Sequence, residues 1–225
     1  MGVAVLVTGG KDSVLALHRV LNEGYEVKYL VSMIPVRADS WMFHYPNIRL
    51  TDLLAEAVEI PLVKAETSGV KEKEVEDLKH VIEKLDLEGV VSGAVASEYQ
   101  KTRIDKICEQ LKLNSITPLW HENSLRLLNE ILDLNFKVII TGVYAYGLDR
   151  QWLGKKIDED AVEALIRLNK QYAISIIGEG GEYETLVLDA PFFKKKIKVV
   201  QAEVVWENQG GYLSITEARL ENKPE

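Results

Sequence analysis

Five short aliphatic runs, separated by stretches of helical periodicity, restrict the first half of this chain to an alternating β-α layer structure. Val3–Val7 is a continuous β-branched and aliphatic run, of the kind found in strands buried on both faces. Val14, Leu17, Val20 and Leu21 then recur at helical spacing up to Gly24, a natural left-handed helix stop. The pattern repeats, with strands at Val27–Met33, Pro61–Ala65, Gly89–Val95 and Ser115–Leu119, and helices at Ile48–Val58, Lys71–Asp86 and Ser97–Leu113. Repeated β-α units with right-handed crossovers predict a doubly wound, parallel, five-stranded α/β sheet with helices on both faces. Ligands of such sheets sit beyond the carboxyl ends of the strands, where strand order reverses, so the loop after the first strand is where one is expected first.

The second half has a different grain. Leu125–Leu134 and Asp158–Tyr172 read as helices and Lys137–Val143 as a strand. Thr185–Leu188, Ile197–Trp206 and Tyr212–Leu220 read as further strands, the last two joined by Asn208-Gln209-Gly210-Gly211, a hairpin signal. A smaller C-terminal α+β domain is therefore expected, with residues 1–118 and 119–225 as the two domains.

Charge and composition narrow the function classes. Lys and Arg number 27 against 35 Asp and Glu, a net −8, which disfavours general nucleic-acid binding because counterion release rewards basic surface. The longest apolar runs fall far short of the roughly 18–20 residues that cross a bilayer. No basic-then-apolar leader opens the chain, so a cytoplasmic protein without membrane contact is expected. The single cysteine, Cys108, excludes an internal disulfide and a cysteine zinc site, and it reads as core on the apolar face of its helix.

The loop after the first strand is Thr8-Gly9-Gly10-Lys11-Asp12-Ser13. Glycines let backbone N–H groups approach an anion, and a helix N-terminus adds about half a positive charge. Thr8 and Ser13 add hydroxyls and Lys11 a cation, while Asp12 makes sense in a phosphate cradle if Mg²⁺ bridges it to the phosphates. The segment is neither a Walker A loop nor a dinucleotide G-x-G-x-x-G. It resembles the S-G-G-x-D-S pyrophosphate loop of N-type ATP pyrophosphatases, with Thr8 for the first Ser. That resemblance implies a Rossmann-like (HUP) fold whose loop grips the β- and γ-phosphates of ATP while attack at the α-phosphorus releases pyrophosphate.

Further on, Glu179-Gly180-Gly181-Glu182-Tyr183-Glu184-Thr185 crowds three carboxylates around two glycines. If Glu182–Glu184 are extended, the two carboxylates share one face and Tyr183 takes the other. Acidic groups with an aromatic ring suit an ammonium-bearing ligand, and a solvated acidic turn leading into a core strand fits the residues equally well. The run on to Leu186-Val187-Leu188-Asp189-Ala190-Pro191 resembles the signature of the diphthine–ammonia ligase family. Ser40-Trp41-Met42-Phe43-His44 and Gly93-Ala94-Val95-Ala96-Ser97-Glu98-Tyr99-Gln100-Lys101-Thr102-Arg103 are similar to segments of that family.

The resemblance implies ATP-dependent amidation by ammonium of diphthine, a modified histidine on translation elongation factor 2, through an acyl-adenylate, giving diphthamide, AMP and pyrophosphate. Residues 1–118 would bind ATP and 119–225 the substrate. It implies ATP contacts from Thr8, Gly9, Gly10, Lys11, Asp12, Ser13, Met33 (through its backbone), Gly93 and Arg103. Substrate contacts would come from His44, Tyr99, Gln100, Glu179, Gly180, Gly181, Glu182, Tyr183, Glu184 and Thr185. Lys11, Asp12, Glu182 and Glu184 would carry the chemistry, with Asp12 on Mg²⁺. By the bland reading Tyr99, Gln100 and Arg103 are an exposed first helical turn, His44 a loop histidine, and Lys194-Lys195-Lys196 a solvated strand start. Free ammonium is the expected nitrogen source, being simpler than a Cys-dependent glutaminase whose only candidate thiol, Cys108, faces the core, and a homodimer is left open. Two other readings keep the loop: a tRNA-modifying ATP pyrophosphatase, opposed by the acidic charge and lone cysteine, and a non-catalytic adenine-nucleotide sensor, which has no need of the acidic cluster.

Overall fold

In the computed structural model, which describes residues 1–35, 47–67 and 73–224, the first aliphatic run forms β1 (Gly2–Leu6). There follow α1 (Lys11–Asn22), β2 (Glu26–Pro35), α2 (Thr51–Val58), β3 (Leu62–Thr67), α3 (Lys73–Ile82), β4 (Gly89–Val91), α4 (Glu98–Leu111) and β5 (Asn114–Ile116). The five strands are parallel, in the order β3-β2-β1-β4-β5. β1 is central, and Val3, Ala4 and Val5 have no exposed surface, as a strand covered by helices on both faces requires. The chain passes from β1 to β2 on one side and later adds β4 on the other. The reversal therefore falls at β1, and the loop after it opens at the switch point.

Local signals account for most boundaries. Gly24, at φ +80°, ends α1: its N–H donates to the Leu21 carbonyl and that of Tyr25 to the Val20 carbonyl, the double bond pattern of a glycine helix stop. β4 stops at Val91 rather than Val95, although Ala94 and Val95 are 4% and 2% exposed. There the chain leaves the ladder to pass against the start of α1, keeping its side chains buried without sheet pairing. α3 ends at Ile82 rather than Asp86 because its tail tightens: Lys84 and Leu85 donate to Val81 and Ile82, three residues back. Between the sheet and α3 and α4 lies a core that includes Ala4, Val31, Met33, Leu78, Ile82, Ile107 and Cys108. Burial, with the Asp105 carboxylate nearby, pushes the Cys108 thiol up to about 11. At neutral pH its reaction with a disulfide reagent should be roughly a hundredfold slower than that of an open thiol, reaching the ordinary rate only in denaturant.

The chain divides into two units, Met1–Trp120 and His121–Glu225. The second contains α5 (Ser124–Asp133), β6 (Lys137–Val143), α6 (Glu159–Tyr172), β7 (Tyr183–Asp189), β8 (Lys195–Glu207) and β9 (Gly210–Asn222). Its four strands are antiparallel, in the order β7-β6-β9-β8. Asp158 is the N-cap of α6 and not its first residue: its Oδ1 accepts the Ala161 N–H at 2.9 Å. β8 and β9 turn at Asn208-Gln209, with Asn208 at φ +53°, so the two glycines expected in the turn open β9 instead. Lys196 and Lys198 pair with Glu221 across this hairpin. No helix among the described residues is long and apolar enough to cross a membrane.

Candidate active site

The loop after β1 owes its shape to its own hydroxyls. Gly9 takes φ +84° and Gly10 is the extended N-cap of α1, with no side chain capping the helix. Ser13 Oγ donates to the Gly10 carbonyl at 3.0 Å and accepts the Thr8 N–H at 3.3 Å, and Thr8 Oγ1 accepts the Gly10 N–H at 3.4 Å. The hydroxyls thus hold the loop, and the uncapped start of α1 presents the N–H groups and positive dipole end that favour an anion. Lys11 is only 3% exposed, and its Nζ lies 2.9 Å from Asp12 Oδ2. Asp12 Oδ1 is buried and accepts no hydrogen bond.

A half-satisfied carboxylate beside a buried ammonium is a costly arrangement to keep. It fits a site completed by a charged ligand, with phosphate on Lys11 and the helix start and a divalent cation on Asp12. Mg²⁺ is commonly held by one or two carboxylates plus substrate phosphates, and a single carboxylate is what this loop provides. No group of three or more His, Cys, Asp or Glu side chains suited to a metal occurs among the described residues.

Gly93 belongs to this site by packing. A Cβ built on it would lie 2.8 Å from the carbonyl carbon and oxygen of Asp12 and from the Ser13 nitrogen, all backbone that cannot swing aside. Gly93→Ala should displace the start of α1. We expect about 1–3 kcal/mol of lost stability by chemical denaturation, together with weakened nucleotide binding.

The other residues expected around the nucleotide are dispersed. Met33 is 1% exposed, leaving only its backbone to meet a ligand. The β1–β2 ladder ends at Leu6↔Val31, while β2 continues to Pro35 paired with β3, so the backbone of Met33 lies beyond the end of β1. The Arg103 guanidinium lies 3.6 Å from the centre of the Tyr99 ring, and its Nη1 donates to the Tyr99 carbonyl. It lines a cleft of about 280 Å³ with Lys79, Lys106 and Ile107. Ser97 caps α4 by accepting the Gln100 N–H, placing Tyr99 and Gln100 in the first turn. His44 and the segment around it lie outside the described residues.

Two residues escaped the sequence reading. Ser32 and Ser92 are 0% and 4% exposed with no hydrogen bond to either Oγ; Ser32 lies within β2, where it pairs with Lys64 of β3, and Ser92 directly follows β4. The only signal for them was a lone hydroxyl inside an aliphatic strand run.

In the second unit, the acidic turn is organised by Glu182. Its carboxylate accepts the N–H groups of Ser175 and Gly180, each at 2.8 Å, and its carbonyl accepts those of Tyr144 at 2.9 Å and Ala145 at 3.3 Å. One residue therefore joins the segment after α6, the glycine turn and the loop after β6. Gly178 and Gly181 take φ +76° and +81° to close the turn. Tyr183 is 3% exposed, and its hydroxyl donates to the Ile176 carbonyl at 2.7 Å, so it offers no open ring to a ligand. Glu184 and Thr185 are half-buried and pair with Gly142 and Ile140 of β6, while Glu179 is half-buried and Gly180 exposed in the turn. Partial burial, then the nearby Glu184 carboxylate and Tyr212, hold the Tyr144 phenol well above its usual range, so it is neutral at physiological pH.

Comparison with known proteins adds the context that geometry alone lacks. Residues 1–115 match the family described as diphthamide synthase N-terminal domain, and residues 123–220 match its C-terminal domain. A protein named diphthine–ammonia ligase from Bos taurus is 37% identical, over 99% of this chain and 94% of its own length. One from Homo sapiens is 36% identical over the same shares, and one from Schizosaccharomyces pombe is 36% identical over 100% of this chain and 40% of its own. A phosphate-type loop at the strand reversal and an acidic turn in the second unit thus occur in a chain that, along nearly its whole length, belongs to the diphthine–ammonia ligase family.

Proposed function

We propose that this chain is an ATP-dependent, AMP-forming ligase that joins ammonium to the carboxylate of diphthine and produces diphthamide. The observation that carries the reading is the Lys11–Asp12 pair. It is a buried ammonium against a carboxylate with one unsatisfied oxygen, set on an uncapped helix start at the sheet's switch point.

The chemistry demands activation, because direct replacement of a carboxylate oxygen would expel oxide. One carboxylate oxygen attacks the α-phosphorus, the bond from that phosphorus to the bridging oxygen breaks, and pyrophosphate departs. The ammonia nitrogen then adds to the acyl carbon, the bond from that carbon to the adenylate oxygen breaks, and AMP departs. Two protons leave the nitrogen between ammonium and amide.

The protein's share is positioning and charge. Gly9, Gly10 and the start of α1 receive the β- and γ-phosphates, Lys11 neutralises them, and Thr8 and Ser13 keep the loop in shape. Asp12 would hold Mg²⁺, which supplies further neutralisation of the phosphates. The backbone at Met33 receives adenine, Gly93 lets the chain pack closely on the Asp12–Ser13 backbone, and Arg103, Tyr99 and Gln100 in the first turns of α4 are the further polar groups we assign to the ligands. In the second unit, Glu179 and Glu184 with Gly180, Gly181 and Thr185 receive the substrate. Glu182 keeps that turn formed and Tyr183 anchors it from beneath. With Glu182 committed to two backbone N–H groups, Glu184 is the carboxylate we assign to taking a proton from ammonium.

The protein substrate we name is elongation factor 2, acted on in the cytoplasm. Light scattering decides between a monomer and the homodimer left open above. The test combines purified chain, ATP, Mg²⁺, ammonium and diphthine-bearing elongation factor 2, with mass spectrometry of the modified histidine peptide. Conversion of the acid to the amide, dependent on ATP and ammonium and indifferent to glutamine, is expected. Persistence of the acid with every component present would defeat the proposal.

A further inference from the structure

Three cations meet in the cleft between α3 and α4. Its lining includes Lys79 from α3 and Arg103 and Lys106 from α4, around a volume of about 280 Å³. Both helices pack on the same face of the sheet, through Leu78 and Ile82 of α3 and Ile104 and Ile107 of α4. Their neighbouring edges form the walls, and Ile107, 2% exposed, and the half-buried Val75 give the cleft an apolar floor. No residue of Thr8–Ser13 lines it, so it stands apart from the loop after β1.

This gathering of positive charge runs against the balance of the chain, which has 27 basic and 35 acidic residues. Elsewhere in the same unit, Lys11, Lys28, Lys64 and Lys101 each lie 2.6–2.9 Å from an aspartate oxygen. Lys79 and Lys106 have no such ion pair among the described residues. The one carboxylate of the cleft, Glu76, lies 3.8 Å from His80, one turn further along α3. Arg103 is held in place, with its guanidinium 3.6 Å from the centre of the Tyr99 ring and its Nη1 donating to the Tyr99 carbonyl. Against one carboxylate, the three cations leave a surplus of two positive charges. Like charges drawn together from two helices repel, and an anion between them offsets the repulsion.

We infer that this cleft is a binding site for a compact phosphate monoester. Such a group carries a charge near −2 at neutral pH and three acceptor oxygens, which matches both the surplus and the number of cations. The guanidinium offers a planar fork to two of the oxygens, and the lysines act as point charges on the rest. The volume lies just below the roughly 300 Å³ at which pockets for small organic ligands begin. A short organic body therefore fits beside the phosphate, against Val75 and Ile107. A carboxylate, with one charge, would leave one of the surplus cations unmatched. Binding here does not require the ligase reading, because neither lysine belongs to the loop after β1 or to the acidic turn.

Titration of the full chain with phenyl phosphate, followed by amide NMR, tests this. Amides of residues 75–79 and 102–107 should shift together along one saturating curve. Benzenesulfonate, which has the same ring and a single charge, should bind roughly tenfold more weakly. Lys79→Gln combined with Lys106→Gln should cut phenyl phosphate affinity at least about tenfold, and Lys106→Gln alone, at an exposed position, about threefold. The amide spectrum of each variant shows that it is folded. Shifts confined to residues 8–13, no shift at all, equal binding of the two anions, or variants that bind as tightly as the wild type each overturn the inference. If the cleft takes phenyl phosphate while the wild type makes no amide, the ligase reading fails and the anion site stands.

Discussion

Lys11→Met should lower AMP formation by roughly 10²–10³-fold, the usual consequence of removing one charge-stabilising group from a reaction centre. Methionine is chosen because Lys11 is only 3% exposed: it fills the space of the buried stem and deletes the charge. The change also leaves Asp12 without the ammonium 2.9 Å away, so the fold should lose about 1–3 kcal/mol. A double variant separates the two effects. Lys11→Met with Asp12→Asn should regain most of the stability, because no uncompensated charge remains, yet stay inactive. Recovery of turnover in the double variant would mean that Lys11 serves only to balance Asp12. Denaturation midpoints and initial rates of AMP release on the same preparations provide both readouts.

Glu182→Ala should have the second large effect, of a different kind. It frees the N–H groups of Ser175 and Gly180 together, each now 2.8 Å from a carboxylate oxygen. Bonds to a charged acceptor at a half-buried site argue for about 2–3 kcal/mol of lost local stability. Because this residue joins three segments of the second unit, the acidic turn should open without global unfolding, visible as faster hydrogen exchange over residues 174–184. ATP affinity should change less than about twofold, while kcat/KM for the protein substrate falls roughly a hundredfold, as expected when positioning rather than chemistry is lost. Glu182→Gln keeps one acceptor but turns an NH₂ toward the other backbone donor, so it should fall between Ala and the wild type.

The contrast between these residues shows where reading the chain stopped. Thr8–Ser13 was legible because every part of the signal is local: an aliphatic run, two glycines and a helix start within a few residues. Gly24 was legible for the same reason. The expectation that Glu182 and Glu184 share a strand face across from Tyr183 does not carry over, because β7 starts at Tyr183 and leaves Glu182 in the turn, where its carboxylate accepts backbone N–H groups. Which face would be covered was not legible, because that depends on packing in the folded unit, and this packing turned Tyr183 inward and left Tyr144 outside. The role of Glu182 depends on Ser175, Gly180 and Tyr144, which only the fold assembles. Ala94 and Val95 read as strand because the apolar run continues into them, yet β4 ends at Val91 and they are buried without a ladder, just after Gly93 packs on the backbone at the start of α1. Ser32 and Ser92 gave no warning, since a lone hydroxyl in a strand is unremarkable until its partners are counted.

In the proposed reaction the loop after β1 seats a triphosphate so that the substrate carboxylate meets the α-phosphorus. Diphthine whose carboxylate oxygens carry heavy oxygen tests this most directly, because the attacking atom stays with the phosphorus. AMP containing one heavy oxygen should form for every amide, with unlabelled pyrophosphate and no ADP. Amide formed alongside unlabelled AMP, or alongside ADP and orthophosphate, would contradict it.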